Sequence, residues 1–128
     1  MIIGVGVDIV DNRRIQKTLK IYGNKFKKKC FSNNEILRSE KKNNTINSFS
    51  KRYAAKEACA KALGTGVARG IHWKDIEVIN NAYGKPEIKL YNKALNILNE
   101  LTEKECNILI SLSDEKNYSI ANVIIIEK

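Results

Sequence analysis

The sequence predicts an α+β fold, a mixed or antiparallel sheet packed with helices in a single domain over residues 1–128. Three observations predict it. Residues 2–9 alternate in the manner of a strand, and residues 47–63 form an alanine-rich helical stretch closed by Gly64. Residues 106–113 and 118–127 are two β-rich runs around the turn Asp114-Glu-Lys-Asn117, a hairpin pattern. The length of 128 residues fits one compact domain without linkers or repeats.

In the first strand Ile3, Val5, Val7 and Ile9 take one face, and Gly4, Gly6 and Asp8 the other. The second face is nearly bare until an acid appears at its end, so another element or a ligand can approach the backbone there. Asp11 or Asn12 caps a helix whose Ile15, Leu19 and Tyr22 share one side, and Gly23 suits its end. Ser32 with Glu35 reads as a capping box opening a short helix to about Lys41, and residues 42–45 as a polar connection. On the long helix, Tyr53, Glu57 and Lys61 are spaced to line one side. Gly64, Gly66 and Gly70 then mark an irregular segment. Asp75 to Asn80 reads as a strand, residues 83–86 as a turn, and Glu87 to Leu90 as a short returning strand. Ala94, Leu95, Leu98 and Leu101 mark an amphipathic helix before the closing hairpin.

The formal charge is +9, unevenly spread: residues 1–70 carry +11 and residues 71–128 carry −2. Such a field attracts anionic partners; nucleic acid, an acidic protein and a polyphosphate cofactor all suit it. The densest cluster, Lys25, Lys27, Lys28 and Lys29, reads as a solvated face. The longest apolar run, Val123 to Ile126, is far below the roughly 20 residues of a spanning helix, so no membrane partner is expected. The N-terminus has no secretory pattern, and Cys30, Cys59 and Cys106 read as buried thiols of a reducing compartment.

Asp8 ends a strand that otherwise reads as core, Glu57 interrupts an alanine-rich helix, and Lys61 stands one turn beyond it. Two carboxylates from separate elements beside a basic group suit a Mg²⁺ site for phosphate chemistry, since magnesium takes one or two carboxylates and leaves room for phosphate and water. Spacing leaves a second reading open, in which Asp8 caps a turn and Glu57–Lys61 is an ordinary helix pair.

The residues also carry a resemblance. Gly4-Val-Gly-Val-Asp8-Ile-Val with Arg14-Ile15 resembles the opening motif of the holo-acyl-carrier-protein synthases, a group of 4′-phosphopantetheinyl transferases. Arg52-Tyr-Ala-Ala-Lys-Glu57-Ala-Cys-Ala-Lys61-Ala-Leu-Gly64-Thr-Gly66 resembles their second signature. Trp73-Lys-Asp-Ile-Glu-Val78, Gly84-Lys-Pro86 and Ser111-Leu-Ser113 echo later segments in the same order. One departure stands out: family members commonly have histidine after Ser-Leu-Ser, and here Asp114 follows.

The resemblance implies a single-domain phosphopantetheinyl transferase fold. It implies transfer of the phosphopantetheine arm of coenzyme A to a serine of apo-acyl carrier protein, for fatty acid biosynthesis, with adenosine 3′,5′-bisphosphate released. Coenzyme A is then the co-substrate and Mg²⁺ the cofactor. Asp8 and Glu57 are implied as metal ligands, and Asp8, Glu57 and Lys61 as the catalytic set. Glu57 acting through a bound water, or another acid, serves as general base. Nucleotide binding is implied for Arg52, Lys61, Gly64, Gly66, Gly84, Lys85 and Pro86. The acidic carrier protein is expected to dock on Arg14, extended by Arg13, Lys17 and Lys20. A homotrimer with shared sites is implied, in the cytoplasm, or a plastid interior if a leader has been removed. Two other readings stand beside it: a basic nucleic-acid-binding module, and a catalytically silent scaffold that binds carrier protein. No aromatic platform for stacking bases supports the former, so no nucleic acid is expected.

Overall fold

The computed structural model describes residues 1–66 and 70–128. Its elements run β1 (Ile2–Asp11), α1 (Asn12–Tyr22), α2 (Asn24–Cys30), α3 (Asn33–Glu40), α4 (Thr45–Ala62), a 3₁₀ turn (Trp73–Asp75), β2 (Ile76–Asn80), β3 (Pro86–Leu90), α5 (Asn92–Leu101), β4 (Cys106–Asp114) and β5 (Tyr118–Glu127). The strands divide between two sheets, both antiparallel: β1-β5-β4 and β2-β3.

α4 is the axis of the molecule, and glycine sets how close it lies to β1. A Cβ built on Gly6 would stand 1.8 Å from the Ala58 carbonyl oxygen, and one on Gly4 equally close to that of Ala62. Strand and helix backbones therefore touch, which only the pairing of bare glycines with alanines permits. The bulky face of β1 consequently turns outward: Val5, Val7 and Ile9 are 57%, 53% and 63% exposed. The core fills instead with Phe31, Phe49, Leu63, Ile76, Val78, Val123 and Ile125 around the alanine faces of α4.

Local signals in the sequence act as expected at several ends. Asp11 caps α1 through the Arg13 N–H, Gly23 ends it at a positive φ, and Ser32 with Glu35 forms the capping box of α3. α4 begins at Thr45, shortening the polar connection, because the Asn44 side chain accepts from the Asn47 N–H. The unanticipated element is α2. Its lysines give no apolar period, yet Phe26 packs edge-on against Phe31 at 5.8 Å, and the solvent-facing Lys25, Lys28 and Lys29 surround that anchor. Cys30 and Cys59 are buried as predicted, with burial pushing their thiols up to about 11 and about 12, whereas Cys106 is only half-buried. No helix among the described residues is long and apolar enough to cross a membrane.

Candidate active site

Asp8 leaves β1 on the glycine face, so it points at α4, where the last turns present Glu57 and Lys61. Lys61 Nζ lies 3.1 Å from Asp8 Oδ1 and donates to the Val7 carbonyl at 3.0 Å. The Glu57 carboxyl is raised above its ordinary value, first by burial and then by the negative charge of Asp8, against the pull of Lys61 and Arg14. Glu57 therefore shares the electrostatic neighbourhood of Asp8, Lys61 and Arg14. A carboxyl pushed up by a second carboxylate marks a place where an added cation is favourable.

The donor set also limits which ion fits. Among the described residues no group of three or more His, Cys, Asp or Glu side chains gathers. Two hard carboxylates cannot complete a structural zinc site, but they suit an ion that keeps positions for water and substrate oxygen, as magnesium does. Lys61 occupies one oxygen of Asp8 from the solvent side, with its own side chain half exposed.

A second region lies around the N-terminal half of α4. A cavity of about 300 Å³ is lined by Arg38, Lys42, Lys51, Arg52, Gly84 and Pro86, among others. Its positive lining suits a phosphorylated ligand. Gly84 turns the β2–β3 loop at φ +83°, with Asn81 N–H donating to the Lys85 carbonyl at 2.9 Å. Lys85 lines a different groove, of about 460 Å³, beside Asn107 and Leu109 of β4.

Arg52, expected to contact a nucleotide phosphate, lines the cationic cavity and is also held by β2. It is 6% exposed, and its two terminal nitrogens donate to the Val78 carbonyl at 2.6 Å and to Asn80 Oδ1 at 2.9 Å. Its face of α4 meets β2, so the guanidinium is drawn into the edge of that strand. Gly64 and Gly66 follow α4 at positive φ, and a Cβ on either would meet nothing within 4 Å. Their demand is therefore conformational, as helix termination requires.

On α1, Arg14, Lys17 and Lys20 are exposed. Arg13 is exposed too, but its guanidinium grips Asp11 through Nε at 2.9 Å and a terminal nitrogen at 2.8 Å, which neutralises it and holds the Asp11 carboxyl below its usual value. Arg14, Lys17 and Lys20 then remain as the exposed cations of the predicted docking face that have no ion pair among the described residues.

The model of the 4′-phosphopantetheinyl transferase superfamily matches residues 4–123, nearly the whole chain. The chain belongs to this family. Among transferases of this kind, the holo-acyl-carrier-protein synthase of Phenylobacterium zucineum is 46% identical over 127 residues, covering 98% of this chain and 92% of its own. The crystal structure of the Neisseria meningitidis synthase superposes with a TM-score of 0.85 at 35% identity, over 99% of this chain and 100% of that one. A Bacillus anthracis synthase solved in complex with coenzyme A (3′,5′-ADP) gives 0.80 at 31% identity, over 100% of this chain and 99% of that one.

Against the family pattern, Asp114 is not left as a bare charge. It accepts from Asn47 Nδ2 at 2.8 Å and pairs with Lys51 at 3.2 Å, and these partners keep its carboxyl low. Sequence reasoning missed Lys51, Arg38 and Lys42 as cavity residues because each lies outside the matching motifs. Only their position on faces toward Arg52 brings them together.

Proposed function

We propose that this chain transfers the phosphopantetheine arm of coenzyme A to a serine of apo-acyl carrier protein, giving the holo-protein and adenosine 3′,5′-bisphosphate. The observation that carries the proposal is Lys61 of α4 bonded to Asp8 of β1, one helical turn beyond Glu57 on the same helix, in a chain of this family. Asp8 and Glu57 would hold Mg²⁺, which supplies neutralisation of the pyrophosphate charge. The serine oxygen of the carrier protein forms a new bond to the phosphorus bearing the pantetheine arm. The bond from that phosphorus to the bridging oxygen of the nucleotide phosphate breaks, and the hydroxyl proton passes to a base. Lys61, movable because half exposed, steadies the charge that gathers on the leaving phosphate. The nucleotide occupies the cationic cavity bounded by Gly84 and Pro86, with Lys51 and Arg38 facing its phosphates.

The protein works as a homotrimer whose sites are completed by neighbours. Arg52 and Glu57 are five residues apart on α4, which at about 100° per residue places them roughly 140° apart around the helix. One chain would have to wrap a ligand around α4 to offer it both cavity and acid pair. The outward apolar face of the β1-β5-β4 sheet, with Val5, Val7, Ile9, Leu109 and Ile120 exposed, supplies a surface for association. Leu109→Lys is expected to convert the trimer to smaller species in light scattering, and a trimer retained would place the interface elsewhere.

The basic face of α1 receives the acidic carrier protein in the cytosol. Arg14 also sends its charge toward Glu57, so it bridges docking and chemistry. Lys17→Glu with Lys20→Glu separates the two: KM for the carrier protein rises roughly tenfold, with KM for coenzyme A unchanged. A rise in the coenzyme A value instead would relocate the docking face. The function itself is tested by weighing apo-carrier protein after incubation with the enzyme, coenzyme A and Mg²⁺. A mass gain equal to one phosphopantetheine is expected, and an unchanged mass defeats the proposal.

A further inference from the structure

Among the described residues β2 has a strand partner on one edge only, β3. Charged side chains from α3 and α4 complete the other edge. Lys56 Nζ donates to the Ile76 carbonyl, the Val78 N–H donates to Glu35 Oε2 at 3.1 Å, and Arg52 donates to the Val78 carbonyl. Lys56 and Glu35 pair at 2.8 Å with both side chains fully buried. An ion pair so placed adds little stability over a well-packed apolar pair. Its distinctive contribution here is directional, since the two side chains supply the donors and acceptors that a neighbouring strand would otherwise offer.

The bonds continue to the cavity. Arg52 donates to Asn80 Oδ1, and Asn80 Nδ2 donates to the Gly84 carbonyl at 3.0 Å. In the other direction Lys56 donates to the Trp73 carbonyl at 3.0 Å, and the Trp73 ring stacks on Tyr53, one helical turn before Glu57, with centroids 4.7 Å apart. Glu35 is held from behind by the Ser32 N–H at 2.9 Å.

We propose that Glu35 and Lys56 are positioning residues of the nucleotide cavity: by completing the second edge of β2 they fix Arg52, Asn80 and the Gly84–Pro86 turn against α4. This deepens the transferase reading and rests on it. Glu35→Gln tests it. The amide keeps the shape of the acid, yet one of its ends must face a donor where an acceptor stood, Lys56 and Ser32 on one side or Val78 N–H on the other. The variant is expected to keep the wild-type circular dichroism spectrum while its Kd for adenosine 3′,5′-bisphosphate, measured by calorimetry, rises about tenfold. KM for coenzyme A follows, with kcat within about threefold of wild type and KM for the carrier protein unchanged. A merely structural role lowers the melting temperature and leaves the folded protein's nucleotide affinity intact; that result overturns the proposal.

If Glu35→Gln does not fold, Asn80→Ala reads the same chain of bonds at its half-buried end, where both ends of the amide are engaged within the network. Weaker nucleotide binding is expected there too, and wild-type affinity overturns the proposal. A wild-type protein that fails to bind adenosine 3′,5′-bisphosphate at all would instead refute the transferase reading, and this inference with it.

Discussion

Replacing either Asp8 or Glu57 with alanine is expected to lower kcat for carrier-protein modification by about 10²–10³-fold, the usual cost of losing a preorganised group that stabilises developing charge. The fold should survive both changes. Asp8 sits at a partly open edge and pairs with a half-exposed lysine, and Glu57 has burial and Asp8 both opposing its ionised form. Removing either acid relieves the repulsion on the other, so neither variant should be less stable than wild type by much. Loss of rate without loss of stability is therefore the signature of the site. Steady-state kinetics at saturating Mg²⁺, beside a urea melt, checks it; near-normal turnover in either variant contradicts the assignment.

Gly6→Ala is expected to act in the opposite sense, on stability first. Its new Cβ would arrive 1.8 Å from the Ala58 carbonyl oxygen, which is backbone within α4 and has no rotamer to yield. β1 or α4 must move, at a cost of about 3 kcal/mol or more, beyond ordinary overpacking of a core. Because Asp8 is two residues along the same strand and Glu57 lies next to Ala58, any molecules that still fold will hold the acid pair at the wrong spacing. Urea denaturation of the variant should show a much lower midpoint, and a midpoint equal to wild type would mean that the backbone contact is looser than described.

Much of this arrangement is legible in the sequence, for definable reasons. Caps, the alanine helix and the closing hairpin are local signals, and each formed where its residues pointed. The bare face of residues 4–8 announced a close approach, and the approaching element proved to be the alanine helix bearing Glu57 and Lys61. The rest depends on contacts far apart in the chain. α2 was hidden because its lysines mask a single aromatic anchor. Lys56 and Glu35, ordinary charges in the sequence, become a buried pair only once α3 and α4 meet the edge of β2 away from β3. The same edge also holds Arg52, a second engagement that its motif does not reveal. Arg13 is likewise spent on the cap of its own helix, a local bond that its position in a basic run conceals.

In the proposed reaction Asp8 and Glu57 act as one cation site. Titration of the protein with Mn²⁺ as a paramagnetic stand-in for Mg²⁺, in the presence of coenzyme A and followed by electron paramagnetic resonance, measures this directly. One ion per chain is expected in the wild type, with binding lost or strongly weakened in both Asp8→Asn and Glu57→Gln. Ion binding at wild-type strength in either variant would contradict it.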